Sequence, residues 1–208
     1  SIDAPNNFIK SNILGTFNLL ECFRKFHKIY SSTKLIHIST DEVYGDVLSG
    51  RSNEDYQYKP SSPYAASKLT NENYATAYCA VYDIHMVGLR YFNVMGPRQN
   101  PKGAYAAVIP RWMQEFIEGG QPTIFGDGET SRDFCPVANV VQANLLAASR
   151  APACRGEAYN VAIGGRTTLN TLFGFIRDGL SKRGVPCGDL QPAYEDFRPG
   201  DIKHSHAN

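Results

Sequence analysis

From Asn7 to Phe26 the apolar residues Phe8, Ile9, Ile13, Leu14, Phe17, Leu20 and Phe23 recur at helical spacing, which predicts an amphipathic helix. The period then changes. "KLIHIST" is short, rich in β-formers and closed by polar residues, and predicts a buried strand. "SNEDYQYKPSSP" is a loop by its Pro, Ser and Asn content. Tyr64 to Tyr82 is helical again, with Ser62 or Ser61 as its cap and Pro63 in its first turn. "HMVGLRYFNVMG" predicts a second buried strand before a Gly-Pro break. Strand, helix and strand in this order imply a parallel sheet with right-handed crossovers. The remainder predicts a loop "GPRQNPKGAYAA", a helix from Val108 to Glu118, a strand "PTIFG" and a polar "DGETSRDF". A helix from Asn139 to Arg150, a strand "EAYNVAI", a helix from Leu169 to Lys182 and a tail "YEDFRPGDIKHSHAN" complete the pattern, without internal repeats.

Composition narrows the class. A chain of 208 residues, 42% hydrophobic, can bury a real core. With 21 basic against 20 acidic side chains, it carries no general attraction for nucleic acid or an anionic membrane, so any anionic ligand must be held locally. Cys22, Cys79, Cys135, Cys154 and Cys187 are scattered, odd in number and without a CxxC pair. This argues against a disulfide framework or a zinc site and suits a reducing cytoplasm. No apolar run approaches the ~20 residues of a membrane helix, and no signal peptide opens the chain. "SIDAPNNF" leads straight into a helical pattern, so the chain is expected to begin inside a domain.

Candidate chemistry centres on two stretches. "YAASK" sets Tyr64 and Lys68 at i and i+4, on one face of one helix. An ammonium beside a phenol favours the phenolate and makes a general base for a sugar or alcohol hydroxyl; the same spacing also occurs on ordinary solvent-facing helices. "STDEVYGD" places Thr40, Asp41 and Glu42 where a strand runs out, at the carboxyl edge where open parallel sheets bind ligands. Adjacent strand residues point to opposite faces, so the two acids serve one ligand only if the chain bends after Thr40. Otherwise one of them caps a loop or pairs with a basic residue.

A strand-end Ser/Thr followed by YxxxK resembles the short-chain dehydrogenase/reductase superfamily, in its extended, NAD-dependent branch that modifies nucleotide sugars. Asn12 followed by "GT", "STDEVYGD", "PSSPYAASK", "LRYFNVMGPRQ", "GDGETSRDF" and "FRPGDIKHS" carry the likeness over nearly the whole chain. The resemblance implies an α/β fold: a Rossmann-type doubly wound parallel sheet holding NAD, with a smaller α/β substrate lobe. Residues 1–95 are then a partial NAD-binding domain and 96–208 a nucleotide-sugar lobe, with 137–165 returning to the Rossmann sheet. It also implies that Tyr64 takes the proton of the sugar C4 hydroxyl while hydride leaves C4, that Lys68 tunes Tyr64 and reaches the cofactor ribose, and that Thr40 orients the hydroxyl. Ser39 and Tyr91 fall on the cofactor side. Asn93, Val108, Phe125, Arg132, Arg198 and Asp201 fall on the substrate side, with the two arginines on the diphosphate, where a forked guanidinium suits phosphate oxygens. Phe125 packs on the nucleobase or belongs to the core. A homodimer is implied through the helix of Tyr64 and Lys68 and the helix 7–26; Tyr74, Tyr78 and Tyr82 suit such a face or the core equally.

The likeness divides at the acid pair. "STDEVYG" is similar to the sugar-nucleotide 4,6-dehydratases, in which Glu42 would be the base at C5 and Asp41 the acid at the C6 oxygen. From Leu89 onward the chain is most similar to UDP-N-acetylglucosamine 4-epimerases, in which small hydroxyl residues stand at those two positions. The longer match favours an epimerase that interconverts UDP-N-acetylglucosamine and UDP-N-acetylgalactosamine through a 4-keto sugar, with a UDP- or dTDP-sugar dehydratase as the alternative. Pro136 also departs from the family, which has an aromatic residue there. The glycine-rich turn that cradles the cofactor pyrophosphate is absent from the 208 residues, so the first Rossmann strands and the last residues are expected to be missing and NAD to bind poorly. A different class, a non-catalytic sugar-nucleotide-binding remnant, is opposed by the intact Thr40, Tyr64 and Lys68.

Overall fold

A computed structural model describes residues 1–47, 51–103, 106–150, 154–198 and 201–208. Ala104 and Tyr105 of the "GPRQNPKGAYAA" loop, and Pro199 and Gly200 of "FRPGDIKHS", lie outside the described residues. The helices are α1 (Pro5–Phe8), which passes through a π turn (Ile9–Leu14) into α2 (Gly15–His27), then α3 (Pro63–Tyr82), α4 (Val108–Ile117), α5 (Val137–Arg150) and α6 (Leu169–Ser181). The strands are β1 (Lys34–Thr40), β2 (His85–Tyr91), β3 (Asn93–Met95), β4 (Thr123–Phe125), β5 (Ser131–Arg132), β6 (Phe134–Pro136), β7 (Arg155–Val161), β8 (Thr167–Thr168), β9 (Ala193–Glu195) and β10 (His204–Ser205).

The main sheet has the order β1-β2-β7 and is parallel throughout. Thr40 pairs with Tyr91 and Tyr91 with Val161, so three strands end level at one carboxyl edge. Local chemistry sets the element ends. Ser62 caps α3 by accepting from the Ala65 N–H at 3.1 Å, with Pro63 in the first turn, and the helix stops at Asp83 in the left-handed region. Thr168 caps α6 by accepting from the Thr171 N–H at 3.2 Å. Gly88 in β2 is required by packing, because a Cβ there would lie 2.9 Å from both the His37 ring and the Ala158 side chain.

Three differences from the sequence expectations have physical reasons. The single helix 7–26 contains a π turn, which widens one turn and leaves Ile9 and Leu14 at its two ends exposed. "HMVGLRYFNVMG" is two strands: after buried Phe92 the chain leaves the main sheet, and Asn93–Met95 pairs with Phe134–Pro136 instead. The strand expected at "EAYNVAI" begins two residues earlier and ends at Val161, because the Asp133 carboxylate accepts from the Ile163 and Gly164 N–H groups and turns the chain away.

Beyond the main sheet, α4 and α6 close over a core of Trp112, Phe116, Ile124, Leu172 and Phe173. Trp112 and Phe116 are each 1% exposed, and burying a side chain of Phe size contributes about 1.5–3 kcal/mol. A second cluster, with Val87, Leu89, Cys135 and Val161, joins the sheet to α5, and a third, with Leu20, Ala75, Tyr78 and Met86, joins it to α2 and α3. All five cysteines are unbridged and four are buried. Among the described residues no helix is long and apolar enough to cross a membrane.

Candidate active site

The bend that the acid pair requires is present. β1 ends at Thr40, and Asp41–Tyr44 forms a single 3-10 turn. Thr40 is extended and caps that turn, its hydroxyl accepting from the Glu42 N–H at 3.3 Å. Gly45 closes it at φ 67, where a Cβ would strike the Lys59 carbonyl oxygen at 2.1 Å. Both acids therefore reach one cleft, of about 610 Å³, together with Tyr64, Asn93, Arg132 and Asp201. Their environments differ. Asp41 is buried, receives a hydrogen bond from the Ser205 hydroxyl and a second from Thr40 at 3.2 Å. Glu42 has one distant partner, the Ser62 hydroxyl at 3.4 Å. Burial pushes both carboxyls above the usual range, and for Glu42 the neighbouring Asp41 charge adds to it.

Tyr64 and Lys68 share the face of α3 that looks onto the end of β1. Lys68 Nζ lies 5.9 Å from the Tyr64 ring centre and donates to the Ile38 carbonyl oxygen at 3.0 Å. The expectation that the ammonium lowers the phenol pKa is not met in this arrangement. Burial first, then the Glu42 and Asp41 charges, hold Tyr64 above its ordinary value, with Thr40 pulling the other way. Burial lowers the Lys68 pKa. Phe8 packs edge-on against Tyr64, with ring centres 6.0 Å apart.

A second cleft, of about 440 Å³, continues from the first and shares Glu42, Asn93, Arg132 and Asp201 with it. Val108, Phe125 and Arg198 line this further part, so all six substrate-side candidates meet in one space. Arg132 donates to the backbone carbonyls of Ser131 and Ile202 at 2.9 and 2.6 Å. Burial lowers its pKa, while Asp41, Asp201 and Glu42 act on it only from a distance. Arg198 pairs with Asp201 at 3.0 Å and lies over the Phe125 ring at 4.5 Å, so one face of that ring carries a cation instead of core packing.

Two cofactor-side candidates point elsewhere. The Tyr91 hydroxyl accepts from Asn144 at 2.5 Å and its ring packs on the cluster beneath α5. Ser39 donates to Glu72 behind the turn. Residues the sequence did not single out also line the first cleft: Ser205, Ser62 and the segment Ser1–Asp3. Ser62 read only as a helix cap, a role it also fills. Ser205 sits within the "FRPGDIKHS" motif, but nothing local announces that β10 pairs with β5 and returns to Asp41.

Comparison with known proteins bears on the family and the fold. The chain is 36% identical over 203 residues to a putative UDP-glucose 4-epimerase of Methanocaldococcus jannaschii, covering 97% of this chain and 62% of that protein. Its fold is similar to a UDP-N-acetylglucosamine 4-epimerase of Methanobrevibacter ruminantium in complex with UDP-N-acetylmuramic acid, with TM-score 0.88, 38% identity, and coverage of 100% of this chain and 63% of the other. It is also similar to a dTDP-glucose 4,6-dehydratase of Streptomyces venezuelae with NAD bound, with TM-score 0.86, 29% identity, and coverage of 100% and 60%. The chain thus spans less than two thirds of the length of these relatives, and its α/β architecture is that of their Rossmann fold. The NAD dependent epimerase/dehydratase family matches residues 1–162, and the chain belongs to that family.

Proposed function

We propose that the chain carries the active-site half of an NAD-dependent UDP-N-acetylhexosamine 4-epimerase. Its reaction interconverts UDP-N-acetylglucosamine and UDP-N-acetylgalactosamine through a 4-keto sugar. One observation favours epimerisation over dehydration: both oxygens of the Asp41 carboxyl, which lines the cleft, already accept hydrogen bonds from Ser205 and Thr40, which makes it less available for elimination at C6. The similarity to a UDP-N-acetylglucosamine 4-epimerase over the full length of this chain supports the same reading.

NAD, when bound, supplies the acceptor and donor of the C4 hydride. The residues present fit it: Lys68 holds three N–H donors at the carboxyl edge of the sheet and uses one of them on Ile38, which suits ribose hydroxyls. Tyr64 takes the proton from the C4 hydroxyl and later returns one to the same oxygen, after the 4-keto sugar has turned its other face, while Thr40 orients that hydroxyl. Arg132 and Arg198 bind the diphosphate and Phe125 stacks on the uracil. Asn93 and Val108 line the wall between them, and Asp201 presents Arg198. Tyr91 acts from outside the cleft by fixing the end of β2 beneath the cofactor. The reading also divides the chain near residue 95, and β7 pairing beside β2 supports placing 137–165 with the sheet. The exposed rings of Tyr74 and Tyr82 support a homodimer face, whereas Tyr78 is buried.

A 4,6-dehydratase is the second reading, favoured by Glu42, which lines both clefts beside Tyr64. Glu42→Gln separates the two. In the complete protein with UDP-N-acetylglucosamine, epimerisation largely survives this change if the proposal holds. A product that has lost water, formed by the unaltered protein and abolished by Glu42→Gln, contradicts it.

A further inference from the structure

Lys68 and Glu72 stand four residues apart on α3, the spacing at which an ammonium and a carboxylate join on a helix surface. They do not join. Lys68 donates to the Ile38 carbonyl oxygen, and Glu72 is held from the sheet side. Arg90 Nη2 and Nε reach the Glu72 carboxylate at 2.7 and 3.0 Å, and Ser39 donates to it as well. Arg90 is 2% exposed, and its guanidinium carbon lies 5.1 and 5.0 Å from the centres of the Tyr44 and Tyr58 rings. It donates to their hydroxyls at 2.6 and 2.7 Å and to the Glu54 carbonyl oxygen at 3.2 Å. All five guanidinium donors therefore have an acceptor.

We propose that Arg90 is a positioning residue for the Tyr64–Lys68 pair: by holding Glu72 against the sheet, it keeps that carboxylate from capturing the Lys68 ammonium. The inference rests on Tyr64 and Lys68 acting as proposed above. Its logic is the cost of a stranded buried charge. Without the guanidinium, Glu72 is a desolvated anion that either takes up a proton or recruits another cation. Lys68, one turn away, is the nearest on its own helix. His37 of β1 is the other neighbour, with both ring nitrogens buried and unpartnered and with Glu72, Lys68 and Arg90 around it; burial holds its pKa below the ordinary value. The other charges facing Tyr64 are Asp41 and Glu42 of the 3-10 turn, and a substitution at position 90 leaves them in place.

The test uses the complete protein with NAD bound. Arg90→Met is expected to weaken retention of NAD by about tenfold or more, because Lys68 is drawn to Glu72 and leaves the position from which it reaches the ribose. Adding Glu72→Gln removes the captor and is expected to restore NAD retention. A crystal structure of the Arg90→Met protein is expected to show Lys68 within about 4 Å of the Glu72 carboxylate and off Ile38. That structure decides the matter even if the unaltered protein turns over no sugar nucleotide, a result that would remove the proposed function and not this one. Should Arg90→Met fail to fold, Arg90→Gln, which keeps hydrogen-bond donors for Glu72 without a cation, is expected to show the same capture of Lys68. Lys68 remaining on Ile38 in the variant, or a loss of NAD that Glu72→Gln does not reverse, overturns the proposal.

Discussion

Two arginines flank the turn that ends β1, and they are held in opposite ways. Behind the turn, Arg90 has an acceptor for every donor and a full ion pair with Glu72. In front of it, Arg132 touches only backbone carbonyls, while the carboxylates of Asp41, Glu42 and Asp201 stay beyond pairing distance. A saturated guanidinium has nothing left for a ligand and works as scaffold. An unsaturated one in a cleft keeps its charge and part of its fork for an anion that arrives later. The two sides of one short turn thus divide into a part that fixes geometry and a part left open to an anionic ligand.

The comparison breaks most visibly at Tyr64, on the substrate side. Tyr64→Phe in the complete protein is expected to cut turnover by about 10²–10⁴-fold with little change in thermal stability, measured by steady-state kinetics beside a thermal melt. The opposite signature belongs to the scaffold side. Arg90→Ala leaves Glu72 buried without its partner and is expected to destabilise by about 3–5 kcal/mol in chemical denaturation. Arg132→Met should preserve the melt and raise KM for the nucleotide sugar by about 10–100-fold, the scale of one lost charge-assisted interaction. If Arg132→Met destabilises as much as Arg90→Ala, the division is wrong.

Two smaller effects sharpen the picture through pH. The Glu42 charge holds the Tyr64 phenol up, so Glu42→Gln removes that charge and should move the rising limb of turnover to lower pH. Asp41 has a folded pKa raised by burial, so the native state binds its proton more tightly than the unfolded chain does. Its contribution to stability is therefore complete below the unfolded pKa and is lost as pH rises through the folded one. Asp41→Asn keeps a partner for Ser205 without a charge to desolvate. It should raise Tm at neutral pH by about 2–4 °C per kcal/mol gained, and the gain should vanish in acid.

What the sequence disclosed depended on how local the cause was. β1 was legible residue for residue, because "KLIHIST" combines β-branched residues with a polar stop. So was the start of α3, where Ser62 and Pro63 act within one turn. The division between β2 and β3 was not, since Phe92 is as apolar as its neighbours and only the change of partner strand separates them. The meeting of Asp41 with Ser205 was also hidden, because 164 residues separate them and the link runs through β10 and β5. Spacing alone placed Lys68 near Tyr64 and equally near Glu72, and the choice between those neighbours lies in Arg90 on another strand.

The most direct test of the proposed chemistry follows one hydrogen. UDP-N-acetylglucosamine carrying deuterium at C4 is incubated with the complete protein, and the products are read by mass spectrometry and proton NMR. The account predicts UDP-N-acetylgalactosamine that retains deuterium at C4, formed more slowly than from unlabelled substrate, with no such product from Tyr64→Phe. Deuterium lost to water at C4, or a product that has shed water from C6, would contradict it.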